Sequence, residues 1–136
     1  MMDQLQPLVG RWSTTITMIH PPAAKGRIYH AVDTYRWLPG NQVLVHEVQA
    51  HMGADIVNSI EVYVRDGDRI VSRSFDSSGT TADYHAEMAD GVWRIVGTTE
   101  RFVSRSISNG AIEGLWQLKL DDGWADWMTV RLDRVA

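Results

Sequence analysis

The chain has 136 residues, which suits one domain that buries roughly two-thirds of the surface its unfolded form exposes. Its formal net charge is −4 and no two Lys or Arg residues are adjacent, so we expect no nucleic-acid partner. The lack of Cys excludes disulfides, thiol nucleophiles and Cys-ligated metal centres. No signal pattern opens the chain and no apolar run approaches the ~18 residues of a membrane span. We therefore expect a cytoplasmic protein with no membrane partner.

Turn dipeptides divide the chain at near-even intervals. They are Asp66-Gly67, Ser78-Gly79, Asp90-Gly91, Asn109-Gly110 and Asp122-Gly123. Asn-Gly and Asp-Gly pairs supply the positive φ angles of tight hairpins, and the segments between them are rich in strand-favouring residues. The pattern predicts an all-β fold over residues 1–136: a single antiparallel up-and-down β-barrel of nine or ten strands, preceded by a short helical turn at 3–9.

The predicted strands follow one another as a meander. They span 12–19, 27–37, 42–51, 55–65, 69–75, 80–88, 92–98, 101–107, 111–120 and 124–134. The interval 91–109 is either two strands that turn at 97–99 or one long bent strand, which leaves the strand number at nine or ten.

Apolar residues alternate along several of these strands, as expected where one face is buried. One face of 111–120 carries Ile112, Gly114, Trp116, Leu118 and Leu120. One face of 124–134 carries Trp124, Asp126, Met128, Val130 and Leu132. In 55–65, Ile56, Ile60, Val62 and Val64 share a face that Asn58 interrupts.

Segment 8–12, which reads Leu-Val-Gly-Arg-Trp, places a Gly-x-Trp just ahead of the first strand. It resembles the lipocalin/calycin signature, which implies that Trp12 closes the barrel floor. The same resemblance implies that an Arg from the last strand, Arg131 or Arg134, packs over this ring.

Four further segments, 37–41, 43–47, 74–80 and 121–124, resemble a bacterial lipocalin-like family of unknown function related to nitrobindin. Nitrobindin-like proteins hold haem through a His near the end of the chain. Here the last His is His85. The resemblance therefore implies the fold more strongly than the cofactor, and we predict no cofactor, with haem binding kept as an alternative.

Aromatic residues are spread over many of the predicted strands. They are Tyr29, Tyr35, Trp37, Tyr63, Tyr84, Trp93, Trp116, Trp124 and Trp127. Most of them must pack in the core or at the rim. A barrel of nine or ten strands is wider than eight strands require, however, so rings can line a hollow interior. We therefore predict that a small hydrophobic or aromatic molecule binds inside the barrel.

Polar residues that share a strand face with apolar residues are the candidates for orienting such a ligand. His46 lies between Leu44 and Val48, Arg73 between Val71 and Phe75, and Tyr84 between Ala82 and Ala86. Tyr63 shares a strand face with Val57, Ser59 and Glu61. With Trp116 and Met128 from the apolar faces, the predicted ligand-binding residues are His46, Tyr63, Arg73, Tyr84, Trp116 and Met128. A His, an Arg and two Tyr would suit a ligand with an acidic, carbonyl or phenolic group.

Three alternatives to a binding protein stay open. The barrel could house a cyclase or isomerase that uses His46 or a Tyr as general acid/base, with its catalytic residues otherwise unknown. It could hold haem, or it could be filled solid and act as a structural protein. A homodimer through an exposed strand face is open as well.

The His residues give little support to a metal site. His46 and His51 are five apart on a strand and so point to opposite faces, unlike the pair of a zinc-protease helix. A dispersed site from His30, His46 and His85 would have to be assembled from three strands. We predict no metal.

Overall fold

The computed structural model describes residues 2–136 and confirms the predicted all-β fold, a closed ten-stranded antiparallel barrel. A 3₁₀ helix (Met2–Leu8) precedes the barrel, and a one-turn 3₁₀ helix (Pro22–Ala24) follows the first strand. The strands are β1 (Gly10–Met18), β2 (Ile28–Trp37), β3 (Val43–Met52), β4 (Asp55–Asp66), β5 (Arg69–Asp76), β6 (Thr81–Ala89), β7 (Val92–Val96), β8 (Glu100–Ile107), β9 (Ala111–Leu120) and β10 (Gly123–Arg134).

Each strand pairs with its sequence neighbours, and β1 closes the barrel by pairing with β10. The interval 91–109 forms two strands, β7 and β8, because the chain turns back at 97–99. No helix in residues 2–136 is long and apolar enough to cross a membrane.

The 3₁₀ helix seals one end of the barrel, which we call the floor. Its Leu5 and Leu8 are almost fully buried, and Trp12 beside them donates its indole N–H to the Leu8 carbonyl over 2.9 Å. The Arg134 guanidinium carbon lies 4.1 Å from the centroid of the Trp12 ring, in cation–π contact. The lipocalin-like floor implied by the sequence is therefore present, with Arg134 over the ring.

Gly10 is needed for this arrangement. Its φ of +138° is rarely adopted by residues with a side chain, and a Cβ there would lie 2.3 Å from Nη1 of Arg134. Arg131, the other candidate for the floor, lies on the outer surface, where it pairs with Glu113 and Asp133.

A β-bulge in β10 changes which face its first residues occupy. The register with β9 shifts between Asp126 and Met128, so Trp127 is the extra residue. Trp124, predicted to share the apolar face of Met128, lies instead beside Lys119 with Arg101 stacked 4.2 Å from its ring centroid.

Candidate functional site

The barrel encloses a cavity of about 430 Å³, within the size range of small-molecule pockets. The cavity runs from Leu8 in the floor to Asp76 and Thr80 at the opposite end of the barrel. Its lining differs from side to side. We call Thr14, Asp33, Tyr35, His46 and Glu61, on β1 to β4, the polar wall. We call Trp93, Phe102, Trp116 and Trp127, on β7 to β10, the aromatic wall.

His46 is the centre of the polar wall. Its Nε2 lies 2.6 Å from Oδ2 of Asp33, and its Nδ1 lies 3.2 Å from Oε1 of Glu61. Each of the three side chains is only 11–12% exposed. A neutral imidazole carries one N–H, whereas the imidazolium carries two. A His that faces a carboxylate at each nitrogen is therefore best satisfied in its protonated form.

The surroundings of His46 act on its pKa in opposite directions. Burial lowers the pKa, but the hydrogen bonds and charges of Asp33 and Glu61 outweigh burial and raise the pKa of His46 to about 9. At neutral pH the ring is then an imidazolium held between two carboxylates.

Further donors fix the two carboxylates. The Thr14 hydroxyl donates to Oδ1 of Asp33 over 2.5 Å. Glu61 accepts from the Tyr63 hydroxyl at Oε1 and from the Ser72 hydroxyl at Oε2, the latter over 3.1 Å. The carboxylates are thereby held by side chains from four strands, β1 and β3 to β5, which makes the wall rigid.

Tyr35 covers the imidazolium. The two rings are nearly parallel, with centroids 3.9 Å apart. Burial, followed by the charges of Asp33 and Glu61, raises the pKa of Tyr35 well above its usual value, so its hydroxyl stays neutral. The part of the chain that the structure describes supplies no hydrogen-bond partner to this hydroxyl, and the residue lines the cavity.

A hydrogen-bonded pair of polar residues, separate from the His46 cluster, lies closer to the open end of the barrel. Tyr84 on β6 donates its hydroxyl to Oε1 of Glu100 on β8, and both residues line the cavity. Burial and this hydrogen bond raise the pKa of Tyr84 above its usual value.

Three of the four rings of the aromatic wall contact one another. The Phe102 and Trp116 centroids are 5.3 Å apart, and those of Trp116 and Trp127 are 6.4 Å apart in an edge-to-face arrangement. Gly114 permits the position of Phe102, because a Cβ at Gly114 would lie 2.3 Å from the end of that ring. The bulge in β10 brings Trp127 into the lining in addition to Met128.

The structure brings together four of the six residues predicted from the sequence. His46, Tyr84, Trp116 and Met128 all line the cavity. Tyr63 is fully buried but outside the lining, where its hydroxyl supports Glu61.

The expected inward position of Arg73 requires correction. Its side chain is exposed on the outer surface and lies 2.7 Å from Asp83. The inner face of β5 carries Ser72 and Ser74 instead, and the apolar residues in phase with Arg73 belong to the outer face, where Phe75 is 41% exposed. From Ser72 onward, the alternation of β5 is thus opposite to that of an ordinary half-buried strand, although Ile70 on the same face is a buried apolar residue.

Sequence reasoning missed four carboxylates of the cavity: Asp33, Glu61, Asp76 and Glu100. Asp33 lies in phase with Ala31 and Tyr35 and is 7% exposed, and Glu61 stands between Ser59 and Tyr63 on their face. An acidic residue in phase with inward-facing neighbours is a signal that could have identified both. Glu100 starts β8, where no flanking pattern marks it.

The remaining His residues do not join His46. His30, His51 and His85 are exposed on the outer surface, so the structure does not assemble a site from His30, His46 and His85. His46 is also a poor axial ligand for haem iron, because Asp33 and Glu61 engage both of its ring nitrogens. Among the described residues that line the cavity, His46 is the one imidazole, so the cavity offers haem iron no free His ligand.

Sequence comparison finds no matching family model and no matching curated protein. Comparison of structures finds barrels at 14–15% identity, which shows the fold alone. Rv2717c from M. tuberculosis is similar with a TM-score of 0.69 and 14% identity over 98% of each chain. Zebrafish ileal bile acid-binding protein complexed with cholic acid has a TM-score of 0.59 and 15% identity over 95% of this chain and 99% of its own.

A designed barrel is similar as well. This de novo fluorescence-activating β-barrel has a TM-score of 0.53 and 14% identity over 99% of this chain and 100% of its own. Together with the closed ten-stranded sheet, these likenesses show that the chain has a calycin-like barrel fold.

Proposed function

We propose that the protein binds a small, mainly apolar or aromatic molecule inside the barrel. The observation that carries this proposal is the cavity of about 430 Å³, which has an aromatic wall on one side and fixed polar groups on the other. Apolar lining with a few convergent polar groups is the usual composition of a small-molecule site. Kinship with the lipocalin-like family related to nitrobindin belongs to the same proposal and rests on the arrangement of Gly10, Trp12 and Arg134 in the floor.

The barrels of similar fold support binding in general terms. The zebrafish protein holds cholic acid, and the designed barrel activates fluorescence. Neither is close enough in sequence for its ligand to be transferred to this chain.

The geometry of His46 favours binding over general acid/base catalysis. A general base must be deprotonated near the working pH, whereas the carboxylates of Asp33 and Glu61 raise the pKa of His46 to about 9. Both N–H groups also already have acceptors, so the ring acts as a structural charge rather than a proton shuttle.

A cavity-blocking variant tests the proposal. Ala82 lines the cavity, whereas Ala89, on the same strand, is exposed. Binding of 1-(hydroxymethyl)naphthalene, a neutral aromatic probe, is measured by calorimetry. We expect saturable binding that Ala82→Phe weakens by about tenfold or more and that the control Ala89→Phe leaves unchanged. Equal binding by both variants would place the probe outside the barrel, and no binding by the parent protein would contradict the proposal.

A further inference from the structure

Negative formal charges outnumber positive ones among the residues that line the cavity. Four carboxylates line the cavity: Asp33 and Glu61 in the polar wall, and Asp76 and Glu100 closer to the open end. Among the described lining residues there is no Arg or Lys, and the one imidazolium, His46, is already paired with two of the carboxylates. The interior therefore carries an excess of negative charge that nothing in the described chain neutralises.

The carboxylates retain capacity to accept hydrogen bonds. An ionised carboxylate offers about four lone-pair sites. Asp33 accepts from two side chains, Thr14 and His46, and Glu61 accepts from three, His46, Tyr63 and Ser72. Both residues line the cavity, so a donor carried by the ligand is the natural partner for the remaining sites.

The Tyr35 hydroxyl is available to a ligand. Tyr35 lines the cavity, and its hydroxyl has no partner in the described residues. Since no buried side-chain polar atom in these residues lacks a hydrogen bond, this hydroxyl is accessible from the cavity. Its position in the polar wall places it where the polar end of a ligand would be.

A carboxylate ligand would be disfavoured in this cavity. It would add a negative charge to a lining with four carboxylates, in which His46, the one cation among the described lining residues, is already engaged. Burying an unpaired charge is strongly unfavourable. A ligand cation at the polar wall would instead compensate the excess of negative charge, while the aromatic wall packs against an apolar body.

We infer that the ligand is a protonated amine joined to an aromatic or apolar body, with its ammonium group at Asp33, Glu61 and the Tyr35 hydroxyl. This inference rests on the proposed function and names the class of ligand. It replaces the acidic, carbonyl or phenolic ligand that the sequence suggested, since that expectation counted on Arg73, beside a His and two Tyr, reaching into the cavity. It also sets this cavity apart from that of the zebrafish barrel, which holds an acid.

Three probes with one ring system test the inference: 1-(aminomethyl)naphthalene, 1-(hydroxymethyl)naphthalene and 1-naphthoic acid. At neutral pH and low salt we expect the amine to bind about tenfold more tightly than the alcohol, and the acid more weakly than both. If the acid binds as tightly as the amine, the inference is wrong while the proposed function survives. If none of the three binds, both fail.

Variants that each remove one carboxylate charge test where the ammonium group binds. Glu61→Gln and Asp33→Asn should each weaken binding of the amine by about tenfold. Neither variant should change the affinity for the alcohol much. Glu47→Gln is the matched control, because Glu47 is exposed on the outer face of β3. Should either inner variant fail to fold, Tyr35→Phe, which removes only the third proposed contact of the ammonium group, provides the test with the same probes. Equal loss for Glu47→Gln, or amine binding that no inner variant weakens, would overturn the assignment.

Discussion

The two walls of the cavity differ in the residue types that their strands turn inward. In the aromatic wall, strands β7 to β10 turn large apolar residues inward, as a half-buried strand normally does. Around the polar wall the pattern is reversed on β4 and on its neighbour β5, where Ile60 and Phe75 are 37% and 41% exposed while Glu61 and Ser74 face the cavity. The comparison indicates that the aromatic wall contributes mainly to stability, and that the polar wall has polar residues where a stable core would have apolar ones.

The largest expected difference between the walls is in stability. Trp93 is 2% exposed in the aromatic wall, so Trp93→Ala should lower the free energy of unfolding by about 3–5 kcal/mol. Trp124→Ala is the matched control, since Trp124 lies on the outer face under Arg101 and should cost much less. Urea unfolding measures both, and equal losses would mean that the aromatic wall is not the main source of stability.

The polar wall should make stability depend on pH. Because the pKa of His46 rises from 6.5 in the unfolded chain to about 9 in the folded protein, its contribution is complete below pH 6.5. It is then lost as the pH rises through 9. The full contribution is on the order of 3 kcal/mol.

Urea unfolding near pH 6 and near pH 9 measures this loss. His46→Gln, which carries no titratable group, should remove most of the difference between the two pH values. An equal fall in the parent and in this variant would show that His46 is not held as an imidazolium.

A smaller effect concerns the fit of the aromatic wall. A Cβ at Gly114 meets the Phe102 ring, so Gly114→Ala should force that ring toward the cavity and cost about 1–3 kcal/mol. At Gly110 a Cβ meets no atom within 4 Å, and Gly110→Ala should change stability by about 0.5 kcal/mol or less. Thermal unfolding compares the two, and similar melting temperatures would contradict the close approach of Phe102 to β9.

The same contrast explains what the sequence could predict. Turn dipeptides and alternation placed the strands within a few residues and left open only whether 91–109 forms one strand or two. They also identified Trp116 and Met128, because the aromatic side of the barrel follows the ordinary rule. The polar wall breaks that rule, so an apolar neighbourhood wrongly placed Arg73 inside, and Asp33 was overlooked. The bulge at Trp127 could not be foreseen either, because one added residue in a strand leaves no distinctive composition.

Methyl NMR of the Met side chains tests the central claim, that a ligand enters the barrel, most directly. Met128 lines the cavity beside the aromatic wall, and Met52 lies at the end of β3 outside the lining. On titration with 1-(hydroxymethyl)naphthalene, the Met128 methyl signal should shift to saturation through the ring current of the probe, while that of Met52 stays in place. An unchanged Met128 chemical shift at a high concentration of the probe would contradict ligand binding inside the barrel.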